Sequence, residues 1–200
     1  RQMCIRDRIP SISQLTSGLS FAFSLLRGRP FDLIKSQVNI GPLGLWHVLF
    51  ITCIISILAK LAIFQIAIPH ELPIRMILST IPLMVIELSL FVFFVFYLLR
   101  IINRINYFYN FTIAFFWLVT LQSSLVLVVT ILLWVLPGIS LLVAIIGAVI
   151  SIQILISQFK IAKQLLDVST LAAIGIVFGN IIIGLIVGFL DQIFYGFFVG

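Results

Sequence analysis

The stretch from residue 44 to residue 99 reads GLWHVLFITCIISILAKLAIFQIAIPHELPIRMILSTIPLMVIELSLFVFFVFYLL, and its reading decides the fold. Two apolar runs, 44 to 67 and 76 to 99, flank a break at Pro69-His70-Glu71-Leu72-Pro73. At a rise of about 1.5 Å per residue, each run is long enough as a helix to cross a hydrocarbon core of about 30 Å. The stretch is therefore a helical hairpin for a bilayer, with Lys60 and Glu87 as the ammonium and carboxylate groups inside its runs. The expectation is that the rest of the chain packs around this hairpin.

Working outward, three more apolar runs follow at about 109 to 135, 139 to 159 and 170 to 190, separated by Arg100 to Asn106, Pro137-Gly138 and Lys160 to Ser169. The fold class is thus an all-α membrane protein with five transmembrane helices. The Pro137-Gly138 break is so short that its helices are expected to be antiparallel neighbours, one long kinked helix being the alternative. Composition agrees: 62% of the 200 residues are hydrophobic, 9% are charged and the mean hydropathy is +1.32. A water-soluble domain of this length has too little interior for so much apolar surface.

Residues 1–43 form a separate cytoplasmic or interfacial segment ahead of the transmembrane domain at 44–200. Between residues 12 and 26, Ile12, Leu15, Leu19, Phe23 and Leu26 recur at spacings of three and four among serines, the pattern of an amphipathic helix. With Arg27 and Arg29 at its end and Lys35 beyond, it either lies among lipid headgroups or docks on the protein's own cytoplasmic face. Pro30 and Asp32 suit the first turn of a second short helix from Phe31 to Val38. The opening RQMCIRDR resembles translated adapter read-through from metagenomic reading frames, so Cys4, Arg1, Arg6 and Arg8 are given no weight. The first forty residues lack an apolar region followed by a small-residue cleavage site, so the first span is expected to be retained.

Loop charge orients the bundle, because Lys and Arg are retained on the cytoplasmic side. Arg27, Arg29, Lys35, Arg100, Arg104, Lys160 and Lys163 fall on one side and Arg75 on the other, which places the N-terminus in the cytoplasm and the C-terminus outside. Trp46, Tyr107, Tyr109 and Trp134 lie near span ends, as an aromatic belt requires. The net charge of +6 is a topology signal, and nucleic acid is not expected as a partner.

A lone charge at mid-bilayer costs at least about 2.5 to 3.5 kcal/mol, so Lys60 and Glu87 are expected to pair across the hairpin. Two alternatives stay open: Glu87 binds a proton or cation with Lys60 as counter-charge, or Lys60 snorkels outward while Glu87 is protonated. Gln122, Ser123 and Ser124 sit near the centre of the third run, and Ser151, Gln153, Ser157 and Gln158 toward one end of the fourth. These are interhelical hydrogen-bonding groups or the lining of a substrate path. In the fifth run, Gly175, Gly179, Gly184 and Gly188 give two small-xxx-small spacings. Their expected partners are spans three or four of the same chain, with Ala144, Gly147, Ala148 and Ser151 as a matching small face; a dimer seam is the alternative.

No enzyme signature accompanies these residues. His70-Glu71 begins like a zinc-protease helix, but Ile74 stands where the second His belongs and Pro73 interrupts it. His47, at the start of span one, reads as an interfacial polar group. There is no Gly-x-Ser-x-Gly elbow, no phosphate-binding glycine loop and no pair of intramembrane aspartates, so no catalytic residue, metal or cofactor is expected.

The segment Leu26-Arg27-Gly28-Arg29-Pro30-Phe31-Asp32-Leu33, the five spans, and the run Ala162-Lys163-Gln164-Leu165-Leu166-Asp167-Val168-Ser169-Thr170-Leu171-Ala172-Ala173 together resemble bacterial proteins of the Yip1-like family, over roughly residues 25 to 190. The resemblance implies a non-enzymatic scaffold of the bacterial inner membrane, interacting with lipid, membrane-protein partners or further copies of itself. The Asp-Leu-Tyr-Gly-Pro and Gly-Tyr signatures of the eukaryotic family are absent beyond a faint echo at Ile40-Gly41-Pro42, so small-GTPase binding is not carried over. The competing expectation is a small transport or channel subunit using Glu87 and the Gln122 cluster.

Overall fold

The computed structural model describes residues 10–67, 74–136, 138 and 140–199. The break at Pro69–Pro73, residues 1–8, Pro137 and the Arg75 side chain lie outside what it describes. All described elements are helical: α1 (Ile12–Leu26), α2 (Phe31–Ile34), α3 (Pro42–Ala67), α4 (Ile74–Ile101), α5 (Phe108–Val135), α6 (Ser140–Leu166) and α7 (Thr170–Val199). Five of them, α3 to α7, are long and apolar enough to cross a membrane. The chain is therefore a multi-pass integral membrane protein by the length and composition of its helices.

Local chemistry sets the helix ends. Ser11 caps α1 through a reciprocal box: its hydroxyl accepts from the Gln14 N–H at 3.3 Å, and the Gln14 side-chain oxygen accepts from the Ser11 N–H at 2.8 Å. At the other end Gly28 adopts φ +76°, its N–H donates to Leu25 O at 2.9 Å and the Arg29 N–H donates to Ser24 O at 3.0 Å. That is a Schellman closure, which needs the left-handed residue. Asn103 (φ 55°) closes α4 the same way, the Arg104 N–H donating to Leu99 O at 2.8 Å.

The sequence placed the organising element in the hairpin of residues 44 to 99; the structure moves it to α5. Residues 111 to 118 of α5 are buried on every face of the helix, from Phe111 through Leu118. A helix apolar all round belongs in the interior, and α5 is enclosed by α3, α6, α1 and α4. α3 makes its main contact with α5 rather than with α4, its neighbour in the chain, and α4 packs chiefly against α7. α3 and α5 run parallel, with Thr52 beside Thr120 and Ser56 beside Ser123. α5 and α6 are two separate helices and neighbours, as the short break requires.

Two boundaries differ from the sequence reading. α6 continues through Lys160 and Lys163 to Leu166, because Ile161, Ala162 and Leu166 form a buried stripe while both lysines stay exposed. α7 likewise continues past residue 190 through Asp191.

α1 does not float free of the bundle. Its buried residues Gly18, Phe21, Ala22 and Leu25 pack on α5, where Gly18 lies directly against the Trp117 ring. Phe21 meets Phe31 of α2 edge-on at 5.9 Å, so both short helices dock at the same end of the bundle. At that end Arg104 pairs with Asp167 at 3.3 Å, joining the α4–α5 and α6–α7 connections.

Candidate functional site

α3, α4, α5 and α7 surround a cavity of about 330 Å³. α3 contributes Thr52, Ser56 and Lys60, four residues apart and therefore on one face of the helix. α4 contributes Glu87 and Leu88, α5 contributes Gln122 and Ser123, and α7 contributes Asn180 and Gly184. Most of the wall is apolar, with Met84, Phe91, Phe116 and Val119 among its residues, and the amide, hydroxyl and charged groups are set into it.

The hydroxyls on the α3–α5 side are engaged with one another. Thr52 Oγ1 and Thr120 Oγ1 lie 2.7 Å apart, and each also lies within hydrogen-bond distance of its own helix's backbone, at Val48 O (2.7 Å) and Phe116 O (2.8 Å). Ser56 and Ser123 meet at 2.7 Å. Such contacts between α3 and α5 leave the charged groups to the opposite wall.

Lys60 stands within electrostatic range of Glu87 and makes its direct ion pair with another carboxylate. Lys60 Nζ lies 3.8 Å from Asp191 on α7, both side chains being only partly exposed. Lys60 is about seven residues from the end of α3 and Asp191 about eight from the end of α7, so at about 1.5 Å per residue the two sit at similar depth. Glu87 lies deeper, about thirteen residues into α4. It stands within electrostatic range of both Lys60 and Asp191, but among the described residues no cation lies within 4.0 Å of it. The sequence reading missed Asp191 because it ended the last span at residue 190, one position short.

The other singled-out residues separate. Gln122 and Ser123 reach the cavity, whereas the Ser124 hydroxyl donates back to Thr120 O at 2.8 Å. Gly179 lies beneath the Phe94 ring of α4, with the ring's nearest atom 2.6 Å from where a Cβ would stand. Gly184 faces Glu87, whose Oε1 is 3.4 Å from its Cβ position. The partner of these two glycines is thus α4, the second span, not spans three or four; Gly175 and Gly188 have no atom within 4 Å of their Cβ positions. The small face of α6 is used elsewhere: Ala144, Gly147 and Ser151 border a second cavity of about 210 Å³ against α5. Gly184 thereby gains a reading that spacing alone could not supply, as room for a carboxylate.

Arg27, Arg29 and Lys35 are exposed at the α1 end of the bundle, and Lys35 pairs with Asp32 at 2.9 Å. His47, near the start of α3, is buried within the protein. Among the described residues no three His, Cys, Asp or Glu side chains are arranged to hold a metal ion.

Chemically, the described part of the site brings together the carboxylates of Glu87 and Asp191 and the ammonium of Lys60, which lies 3.8 Å from Asp191 and within electrostatic range of Glu87; amides and hydroxyls that can orient a donor stand beside Glu87. No family model matches this sequence, and neither does any curated protein or solved structure.

Proposed function

We propose that this is a non-enzymatic membrane protein of the transport type, which takes up a proton or a cationic group at Glu87 inside the bundle. The observation that supports the reading is the Glu87 carboxylate on the wall of a 330 Å³ cavity, with no cation within 4.0 Å of it among the described residues and the Lys60 ammonium 3.8 Å from Asp191. An ionised carboxylate away from water is costly unless it meets a proton or a cation, so Glu87 has a standing demand for one. Gln122, Ser123 and Asn180 supply oxygen acceptors alongside it. The basic bias of the connections supports a cytoplasmic N-terminus and an outside C-terminus in a bacterial inner membrane.

The scaffold reading has its own support in the exposed Arg27 and Arg29 beside the docked α1, and it accompanies the Yip1-like resemblance of residues 26–33 and 162–173. It leaves the charged cavity without a role, which is why it stands second.

The test is binding and flux in reconstituted vesicles. Protons, potassium and methylammonium are offered in turn to the wild type and to Glu87→Gln. At least one should bind or move in the wild type, with about a tenfold or greater loss in the variant at nearly unchanged thermal stability. Equal behaviour of the two proteins would remove Glu87 from function.

A further inference from the structure

A second opening lies beside the cavity of Glu87. Between α3 and α4 runs a groove of about 390 Å³ bordered by Trp46, Phe50 and Cys53 on one side and Leu88, Val92 and Phe93 on the other. Its wall is almost wholly apolar, and it faces outward: Trp46 is 53% exposed and Phe93 61%. It exists because α3 and α4, though consecutive, are each drawn to another helix, α3 to α5 and α4 to α7.

Leu88 borders both spaces. One side of this residue belongs to the cavity of Glu87 and Lys60, the other to the groove, so a charge-bearing compartment and an apolar channel share a single side chain as their partition. On α3 the cavity takes residues 52 to 63 and the groove residues 46 to 53, about 10 Å of helix nearer the α1 end, while on α4 the two lie side by side at one level, residues 84 to 91 and 85 to 93.

Resting on the reading of Glu87 given above, we propose that the cationic group it takes up is the amine head of a single-tailed amphiphile, whose hydrocarbon chain lies in the α3–α4 groove past Leu88. Charge complementarity selects the head: the Glu87 carboxylate favours an ammonium, and neighbouring amide and hydroxyl oxygens accept its remaining protons. Apolar complementarity selects the tail, and the groove opens where a bilayer would deliver it sideways. A docked helix from a second copy would cover the groove but leave Glu87 unmet, because the apolar face of a helix has nothing to send past Leu88. The amphiphile satisfies both spaces with one molecule.

The experiment uses the whole protein in phosphatidylcholine nanodiscs and a long-chain alkylamine carrying a diazirine on its tail. Photolabelling followed by peptide mapping should place the label on residues 46–53 and 85–93, with competition by unlabelled alkylamine. Glu87→Gln should lower that labelling about tenfold, the loss expected for one charge-assisted contact, while a diazirine alcohol of the same chain length labels weakly and equally in both proteins. Leu88→Trp, which plugs the partition, should lower it as well.

Competition by methylammonium as effective as by the long-chain amine would overturn the amphiphile while leaving the reading of Glu87 intact. Labelling unchanged in Glu87→Gln would overturn both. Label spread evenly over all lipid-facing helices, or a cross-linked dimer in place of a labelled groove, would overturn the amphiphile and assign the groove to bulk lipid or to a second copy.

Discussion

The two walls of α3 are built on opposite principles. Toward α5 the helix is sealed: Thr52 meets Thr120 and Ser56 meets Ser123, beside the stretch of α5 that is buried on every face. Toward α4 the helix is open, with the cavity of Glu87 and an apolar groove meeting at Leu88. The first wall is closed by paired hydroxyls, and the second carries the two spaces to which we assign binding. Lipid tails are as apolar as leucine, so helices in a bilayer associate through close packing and hydrogen bonds, and a gap in that packing forfeits contacts. Two adjoining gaps beside the buried charges mark the wall where binding is expected to offset that loss.

The largest effect should come from breaking the core around α5, where α4 packs on it through Phe91. Phe115 is fully buried and stacks on Phe91 at 4.5 Å, so Phe115→Ala should destabilise by about 3 to 5 kcal/mol, measured by equilibrium unfolding in mixed micelles. The matching truncation on the open wall, Val92→Ala, should cost far less because its neighbours already border a groove. Equal costs would erase the contrast. Gly18 comes next: it lies against the Trp117 ring, and Gly18→Leu should cost about 1 to 3 kcal/mol and free α1 from the bundle, seen as faster proteolysis between residues 12 and 26. The smallest effect belongs to the hydroxyl contacts. Thr120→Val should cost only about 0.6 kcal/mol, the average for hydrogen bonds between membrane helices, and a much larger loss would show that the seam depends on polarity more than on packing.

The five spans were legible in the sequence because length and hydropathy decide them, and neither depends on which helix touches which. Helix order around the bundle was not legible. Lys60 and Glu87 stood out as charges in adjacent runs, and adjacency in the chain suggested a pair; but α4 leans on α7, which brings Asp191 to Lys60. The glycines of α7 carried a true signal of close approach with no address on it, and their address turned out to be Phe94 and Glu87. Gln122 and Ser123 were visible as polar groups in an apolar run, yet only the parallel packing of α3 on α5 turns them toward the same cavity as Glu87 while Ser124 bonds back to its own helix. The groove had no sequence signature at all, being the space left where two consecutive helices part.

The central claim is that Lys60 is held more strongly by Asp191 than by Glu87, which leaves Glu87 able to take the proposed proton or cationic group. Two double-mutant cycles test it most directly, one combining Lys60→Met with Asp191→Asn and the other combining Lys60→Met with Glu87→Gln, both read by unfolding free energy. The account predicts a coupling of about 1 to 3 kcal/mol between Lys60 and Asp191 and less than about 0.5 kcal/mol between Lys60 and Glu87. The reverse ordering would make Lys60 and Glu87 a structural pair and leave the cavity without its free carboxylate.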